Sequence, residues 1–523
     1  MKDGVLIGID AGTSVIKSVA FTTAGEQIAI AAIPNVYETL ADGGVEQDMT
    51  RTWRDTAATL KQLSEKIPNL VSRLIAISVT GQGDGTWLVD KDGESVAPAW
   101  LWLDARAASI AEEFIRHPDY PAHYTRTGTG INACQMSIHL AWMARHRPEV
   151  LARATSAFHC KDWLYFKLTG ERAEDPSEAN FTFGQYASRK YAPHVLDALG
   201  VPDARRLLPP IVEGTEVAGG LSAEAAKFVG LKAGTPITLG YVDVICTGLG
   251  GGLFDPLGKT GCTIVGSTGM HMRMAPTAGD VKLNAEMSGY TMCFPVPGMY
   301  AQTQSNMAST LNIDWLLDVA RDMLKDEGVE RTRGDLLKGM DEKIMARAAG
   351  RVMYHPYISH AGERGPFMEP SARAMFTGLE IGQGFADLMR GVYEGLCFAS
   401  RDCYAAMGDV PEEIRVTGGA ARSNALRLML ASTLKARVRS VTREEAGAAG
   451  AAMMAAVQQK LYPDMEACAV QWVDPLLGDS TEPDACLSAI YDKSFTLYKE
   501  TREKMQPVWR AMMANRKEAP HAS

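Results

Sequence analysis

The first forty residues alternate between β-branched runs and short polar interruptions. Val5 to Ile9 (VLIGI) and Val15 to Phe21 (VIKSVAF) flank the turn-forming stretch Ala11 to Ser14, and a second turn at Thr23 to Glu26 leads into Gln27 to Ile33. Apolar runs of strand length, separated by glycine and hydroxyl residues, predict a three-strand meander. Ala76 to Val79 and Ala99 to Leu103 read as further strands, running into Thr80-Gly81-Gln82-Gly83-Asp84-Gly85 and Asp104-Ala105-Arg106. Polar groups where a strand exits into a glycine loop are well placed to line a cleft in an α/β domain. Trp102 alternates with Trp100, which turns one of the two toward the core.

The opening pattern returns in the second half. Gly261 to Met274 (GCTIVGSTGMHMRM) is again a strand, a glycine–hydroxyl turn at Gly266 to Gly269, and a strand. Two such hairpins facing one cleft would clamp a polyphosphate from both sides, although a flexible connection explains Gly-Ser-Thr-Gly equally well. Ile237 to Leu239 and Val242 to Cys246 read as strand or strand-to-helix material with Asp243 embedded in it. Ile414 to Thr417 runs through Gly418-Gly419-Ala420-Ala421-Arg422-Ser423-Asn424 into a helical stretch, Ala425 to Lys435. A strand, paired glycines and a helix N-terminus let a nucleotide approach the backbone closely. Glu445 to Ala456 predicts a slim helix in which Gly447 and Gly450 serve close packing.

At 523 residues the chain exceeds what one core usually serves. Gly248, Gly250, Gly251 and Gly252, followed by Asp255-Pro256, resemble an interdomain crossing, which divides the chain into 1–250 and 251–523. Charged residues at 22% and hydrophobic ones at 46% describe a globular, soluble protein. A net charge of −9 argues against a general nucleic-acid binder, so any phosphate must be held by local N–H groups and metal. Nine cysteines form no C-x-x-C pair or zinc-like cluster, which predicts reduced thiols in a cytoplasmic protein. Met1-Lys2-Asp3-Gly4 leads straight into the first strand and leaves no room for a signal peptide. The longest apolar stretch, Ala446 to Val457, is too short to span a bilayer, and Lys517 to Ser523 reads as a frayed tail.

The candidate chemistry begins at the first hairpin tip. Its backbone N–H groups and the hydroxyls of Thr13 and Ser14 suit an anion, yet Asp10 beside them would repel a bare phosphate. A divalent cation between the two reconciles them, because Mg²⁺ is held by one or two carboxylates, waters and phosphate oxygens. An ordinary Asp-Ala-Gly turn is the plainer alternative. Asp243 poses a similar choice, since an unpaired carboxylate in an apolar segment is costly unless it serves chemistry or caps a helix. Asp104 is equally suited to capping a helix from Ala107 and to touching a ligand. No Walker lysine motif, protein-kinase H-R-D or D-F-G, H-E-x-x-H or G-x-S-x-G is present.

Taken in order, these pieces resemble the carbohydrate kinases named after a Phe-Gly-Gly-Tyr signature, a branch of the actin-like ATPase superfamily. The resemblance covers nearly the whole chain and rests on Asp10 to Ser14, Trp102 to Arg106, Lys161 to Glu171 (KDWLYFKLTGE) and Asp243. It rests equally on Gly266 to Gly269, Gly362 to Leu379 (GERGPFMEPSARAMFTGL) and Gly418 to Asn424. It implies an α/β fold of two ribonuclease H-like domains with a nucleotide and substrate cleft between them. It further implies ATP and Mg²⁺ as cofactors, with Asp10 and Asp243 at the metal and Asp243 as the catalytic base. ATP would meet Thr13, Ser14, Lys17, Gly266, Ser267, Thr268, Gly418, Gly419, Ala420 and Asn424. The substrate would meet Gln82, Asp84, Trp102, Asp104, Arg106 and Asp243.

Gly83-Asp84 stands where ketopentose kinases of this family carry Met-His and glycerol kinases Arg-Glu. The stretch GQGDG resembles the branch that acts on erythritol. A glycine removes a wall, and a carboxylate accepts hydrogen bonds from neighbouring hydroxyls, which suits a short polyol. L-xylulose or another ketose is the second expectation and glycerol the third. A non-catalytic actin-like ATPase would share the hairpins but would not need Gln82, Asp84, Trp102, Asp104 and Arg106 gathered at strand ends. No nucleic-acid or membrane partner is expected, and a homodimer is left open.

Overall fold

The computed structural model describes residues 3–518, so 519–523 of the expected tail lie outside the described residues. Two mixed sheets organise the chain. The first is six-stranded, in the spatial order Gly219–Gly220, Pro236–Leu239, Leu74–Gly81, Val5–Ala11, Val15–Thr22, Gln27–Pro34. The second is seven-stranded, in the order Tyr290–Cys293, Tyr300–Asn306, Gly269–Ala275, Thr260–Val265, Glu413–Thr417, Arg437–Val441, Leu477–Thr481.

One topology is used twice. In each sheet an antiparallel hairpin continues into a third antiparallel strand, and the hairpin's first strand is joined on its other side by parallel neighbours. The repeat legible in the hairpin sequences is therefore a repeat of whole sheets. Register places the chemistry. Asp10 pairs with Thr80 in the parallel ladder and with Lys17 across the hairpin, and Leu239 pairs with Val79. Asp10 near the end of its strand, Asp84 in the loop after Gly81 and Asp243 at the helix start after Leu239 thus lie at the same edge of the first sheet, where ligands of open α/β sheets bind.

The sheets share a core built on two slim helices, Asp243–Gly250 and Ala446–Gln458. Leu6, Val19 and Ala76 of the first sheet join Met272, Met274 and Ala301 of the second in one apolar cluster around them. Gly450 is what lets the helices touch, since a Cβ there would lie 1.9 Å from the Cys246 carbonyl oxygen. Close packing, expected of this Ala/Gly run, is what the structure displays at Gly450. A second junction lies at the sheet edge near Tyr290, where the Gly130 N–H donates to the Gly289 carbonyl (2.9 Å) and the Thr291 N–H to Thr129 Oγ1 (3.2 Å).

Some local expectations change. Asp243 to Cys246 belongs to a helix that begins at Asp243, with Val242 as its cap, and Gly248 and Gly250 lie inside that helix rather than in a crossing loop. An apolar run this short carries no period that separates strand from buried helix. The strand at Ala99 stops at Trp100, because a turn held by the Asp104 N–H to the Leu101 carbonyl (3.0 Å) follows at once. All nine cysteines are unpaired, and Cys486 is the exposed one. Among the described residues no helix is long and apolar enough to cross a membrane.

Candidate active site

A cavity of about 300 Å³ opens between the two sheets. The first half contributes Thr13, Asp84, Trp102 and Asp243 to its wall, and the second half Thr268, Tyr290, Asn306 and Arg364, so both hairpin turns reach one cleft. Of the alternating tryptophans, Trp100 is core and Trp102 faces the cavity.

Asp243 is the first residue of its helix and follows Val242, which is extended at φ −52°, ψ 148°. Burial, with Asp10 and then Asp84 adding like charge, pushes its carboxyl from 3.8 up to about 7, against a smaller pull from the Val244 N–H and Lys161. Burial likewise raises Asp10 to about 6, opposed by Lys17 and assisted by Glu445. Lys17 is no free counter-ion, because its ammonium bonds Glu445 at 2.8 Å. Gly447 keeps the space beside Asp10 open, since a Cβ there would lie 2.6 Å from Asp10 Oδ2. Two half-buried carboxylates, each unfavourable to the other's charge, form the donor set a hard divalent cation satisfies.

This arrangement has a thermodynamic signature in metal-free protein. The folded-state pKa of Asp243 is raised, so folding opposes its ionised form. The cost is absent below the unfolded value of 3.8, grows as pH rises, and is complete above about 7. Asp243→Asn is therefore expected to stabilise the chelator-treated protein at pH 8, by at most about 4 kcal/mol at 1.36 kcal/mol per unit. The gain should be roughly halved at pH 5. Thermal unfolding of both proteins at the two pH values checks the sign. A variant less stable than its parent at pH 8 contradicts it.

Thr13 is locked by its neighbours. Its hydroxyl donates to Gln82 Oε1 (3.0 Å) and accepts from Trp102 Nε1 (2.8 Å), while Gln82 Nε2 donates to Gln47 Oε1 (3.0 Å). Gln82, expected at the substrate, is thus buried behind Thr13 and does not line the cavity. Asp104 and Arg106 are also absent from the lining. They form a buried ion pair at 2.6 Å, with Asp104 Oδ2 accepting the Val45 N–H (2.8 Å) and the guanidinium lying 3.6 Å over Trp100. Asp104 does not cap the helix Ala108–Ile115 either. The pair braces the turn that presents Trp102.

Ser14 lies exposed at the first tip. At the second tip the Gly266 carbonyl accepts the Thr310 N–H (2.9 Å) and the Ser267 carbonyl the Ser309 N–H (2.8 Å), which leaves Thr268 toward the cavity. Gly418, Gly419 and Asn424 lie outside the cavity lining but beside this hairpin, because Thr417 pairs with Ile264, and the side chain of Ala420 falls outside what is described. Gly419–Arg422 makes a short 3₁₀ turn, and Asn424 opens a helix whose cap, Ser423, accepts the Leu426 N–H at 3.1 Å.

Asp84 holds a left-handed backbone, φ 54°, unusual for a residue with a side chain. Its Oδ2 accepts the Tyr290 hydroxyl (3.1 Å) and faces the Cys134 thiol (3.7 Å), its N–H donates to Glu178 Oε1 (2.9 Å), and its Oδ1 has no protein partner. Burial raises its pKa despite the nearby positive charge of His159 and Arg364. Tyr290, Cys134 and Arg364 went unremarked as site residues in the sequence. Arg364 lies within Gly362 to Phe367 (GERGPF), part of a stretch that carries the family resemblance, whereas no local pattern marks Tyr290 or Cys134.

Comparison with known proteins agrees with this geometry. The model of the FGGY family of carbohydrate kinases, N-terminal domain, matches residues 5–250, and that of its C-terminal domain matches 261–459. The chain is 51% identical over 508 residues to an erythritol kinase of Brucella abortus, covering 97% of this chain and 98% of that protein. It is 25% identical to an L-xylulose/3-keto-L-gulonate kinase of Escherichia coli over 96% of this chain and 97% of that one. Among solved structures, a xylulose kinase from Rhodospirillum rubrum superposes with a TM-score of 0.87 at 25% identity, over 97% of this chain and 100% of that one. The chain belongs to the FGGY family of carbohydrate kinases.

Proposed function

We propose that this protein transfers the γ-phosphoryl group of ATP to a terminal hydroxyl of a short polyol, erythritol foremost. The observation that carries the reading is a single cavity in which Asp243 and the unpartnered Oδ1 of Asp84 meet the two phosphate-type turns. The relative at 51% identity bears the name erythritol kinase, which supports the choice of polyol.

Each residue's part follows from its chemistry. Asp243, raised toward neutrality by burial, accepts the proton of the attacking hydroxyl. Asp84 accepts hydrogen bonds from hydroxyls away from the reacting end, and Trp102 closes that side. Thr13, Ser14 and the N–H groups of both turns hold the phosphates, with Thr268 opposite Thr13. Gly418 to Asn424 receives adenosine. Asp10, with Asp243, would hold Mg²⁺, which neutralises phosphate charge when bound. Lys17, paired with Glu445, offsets part of the negative charge around Asp10. Gln82, Asp104 and Arg106 keep Thr13 and Trp102 in place. Positioning and charge stabilisation dominate phosphoryl transfer, because the protein has little covalent chemistry to perform. The two functional units are taken as 1–250 and 251–523, supported by the helix that ends at Gly250 and the sheet that begins at Thr260.

ADP release from Mg-ATP with erythritol, glycerol, D-xylulose and L-xylulose tests the reading. The expected result is slow basal release, strongly stimulated by erythritol. A ketose as best substrate, with erythritol at background, would leave a sugar kinase but remove the polyol. Equal release with and without every acceptor would favour a non-catalytic actin-like ATPase.

A further inference from the structure

Beside the cavity, the helices Cys160–Thr169 and Pro176–Phe183 and the residues flanking them enclose a charge cluster without solvent. His159, Lys161, Asp162, Glu174, Asp175 and Glu178 are all fully buried. The Lys161 ammonium lies 2.9 Å from Asp162, 2.6 Å from Asp175 and 2.5 Å from Glu178, and His159 Nδ1 lies 2.9 Å from Glu174. Buried ion pairs are a poor source of net stability, since apolar replacements of similar volume often do as well. What this cluster offers is a fixed set of acceptors next to the cavity.

Two hydrogen bonds lead from the cluster to the cavity. Glu178, anchored through Oε2 by Lys161, uses Oε1 to accept the Asp84 N–H at 2.9 Å. Ser177, whose hydroxyl donates to Asp175, accepts the Val242 N–H at 3.2 Å, one residue before Asp243. The first bond grips the residue with the left-handed backbone, and the second grips the residue that aims the helix start. The two loops also touch each other there. A Cβ on Gly83 would come 2.5 Å from Val242 Cγ2 and 3.2 Å from Glu178 Oε1.

We propose that this Lys161-centred frame is the positioning device for both carboxylates of the cavity, Glu178 setting Asp84 and Ser177 setting Asp243. The inference rests on the roles given to Asp84 and Asp243 above and assigns a purpose to the Lys161 to Glu171 stretch. Neither Ser177 nor Glu178 lines the cavity. Each acts through another residue, and the two act on different kinetic quantities.

Ser177→Ala removes the acceptor of the Val242 N–H, and Glu178→Gln puts an amide in place of the carboxyl shared between Lys161 and Asp84. In Glu178→Gln the polyol KM is expected to rise about 10-fold with kcat nearly unchanged, as for a weakened buried hydrogen bond to the binding carboxylate. In Ser177→Ala kcat is expected to fall about 10-fold with the polyol KM nearly unchanged. The KM for ATP should stay at the parent value in both. Steady-state kinetics with whichever acceptor the parent phosphorylates reads the split.

Parental constants in folded variants would overturn the frame. So would an equal loss in kcat and in both KM values, the mark of general loosening. If Glu178→Gln does not accumulate as folded protein, Ser177→Ala decides alone, and an unchanged kcat there overturns the proposal. A parent that phosphorylates no acceptor fails at an earlier step, which strikes the kinase reading and the frame with it.

Discussion

Asp243→Asn is expected to lower kcat by about 10²- to 10⁴-fold, the usual contribution of a positioned general base. Affinities for ATP and polyol should stay within about tenfold, or roughly 1.4 kcal/mol. The amide preserves the shape of the helix start but cannot take the proton of the attacking hydroxyl. Asp243 is suited to that task because burial and the charge of Asp10 place its carboxyl at about 7, above the ordinary carboxylate range. The same feature gives the variant an internal control. A charge that opposes folding is removed, so the inactive protein should be the more stable one in the absence of metal at pH 8. Loss of activity with a raised melting temperature cannot be unfolding. Near-normal turnover in that folded variant would place the proton acceptor elsewhere.

How much of this was legible in the sequence depended on how local the cause was. The turns bearing Thr13 and Thr268 could be read because turn chemistry is set by a few adjacent residues. Asp243 stood out as a carboxylate in an apolar run, although the run itself did not tell strand from helix. The gathering of Gln82, Asp104 and Arg106 at strand ends was correct as topology but silent about direction. Asp104 and Arg106 meet each other and Trp100 instead of the cavity, an outcome set by where Val45 and Glu46 arrive from a distant strand. Tyr290 reaches Asp84 across 206 positions and a sheet boundary, and Glu178 grips the Asp84 N–H from 94 positions away. Such pairings exist only once both halves are folded, so no spacing or period announces them.

Asp84→Ala is expected to reduce kcat/KM for erythritol roughly 10- to 1000-fold while leaving the KM for ATP almost unchanged. The range follows from losing one or two charge-assisted hydrogen bonds at about 1.5 to 3 kcal/mol each. Oδ1 is the atom left free for a substrate hydroxyl, and Oδ2 is already occupied by Tyr290. Removing both also leaves the Tyr290 hydroxyl without its acceptor and takes away one of the negative groups around Arg364, inside a cavity that offers few alternatives. The penalty should fall most heavily on the acceptor with most hydroxyls to satisfy, so the advantage of erythritol over glycerol should shrink. In the site proposed above, adenosine is assigned to Gly418 to Asn424, whose residues do not line the cavity beside this carboxylate. A purely architectural Asp84 gives another pattern, because its left-handed backbone and its bond to Glu178 also tie the loop down. In that case the variant would melt earlier and lose activity by one factor on every acceptor, with their ranking intact. Measuring kcat/KM for erythritol, glycerol, D-xylulose and L-xylulose on both proteins separates a residue that recognises the polyol from one that only shapes its loop.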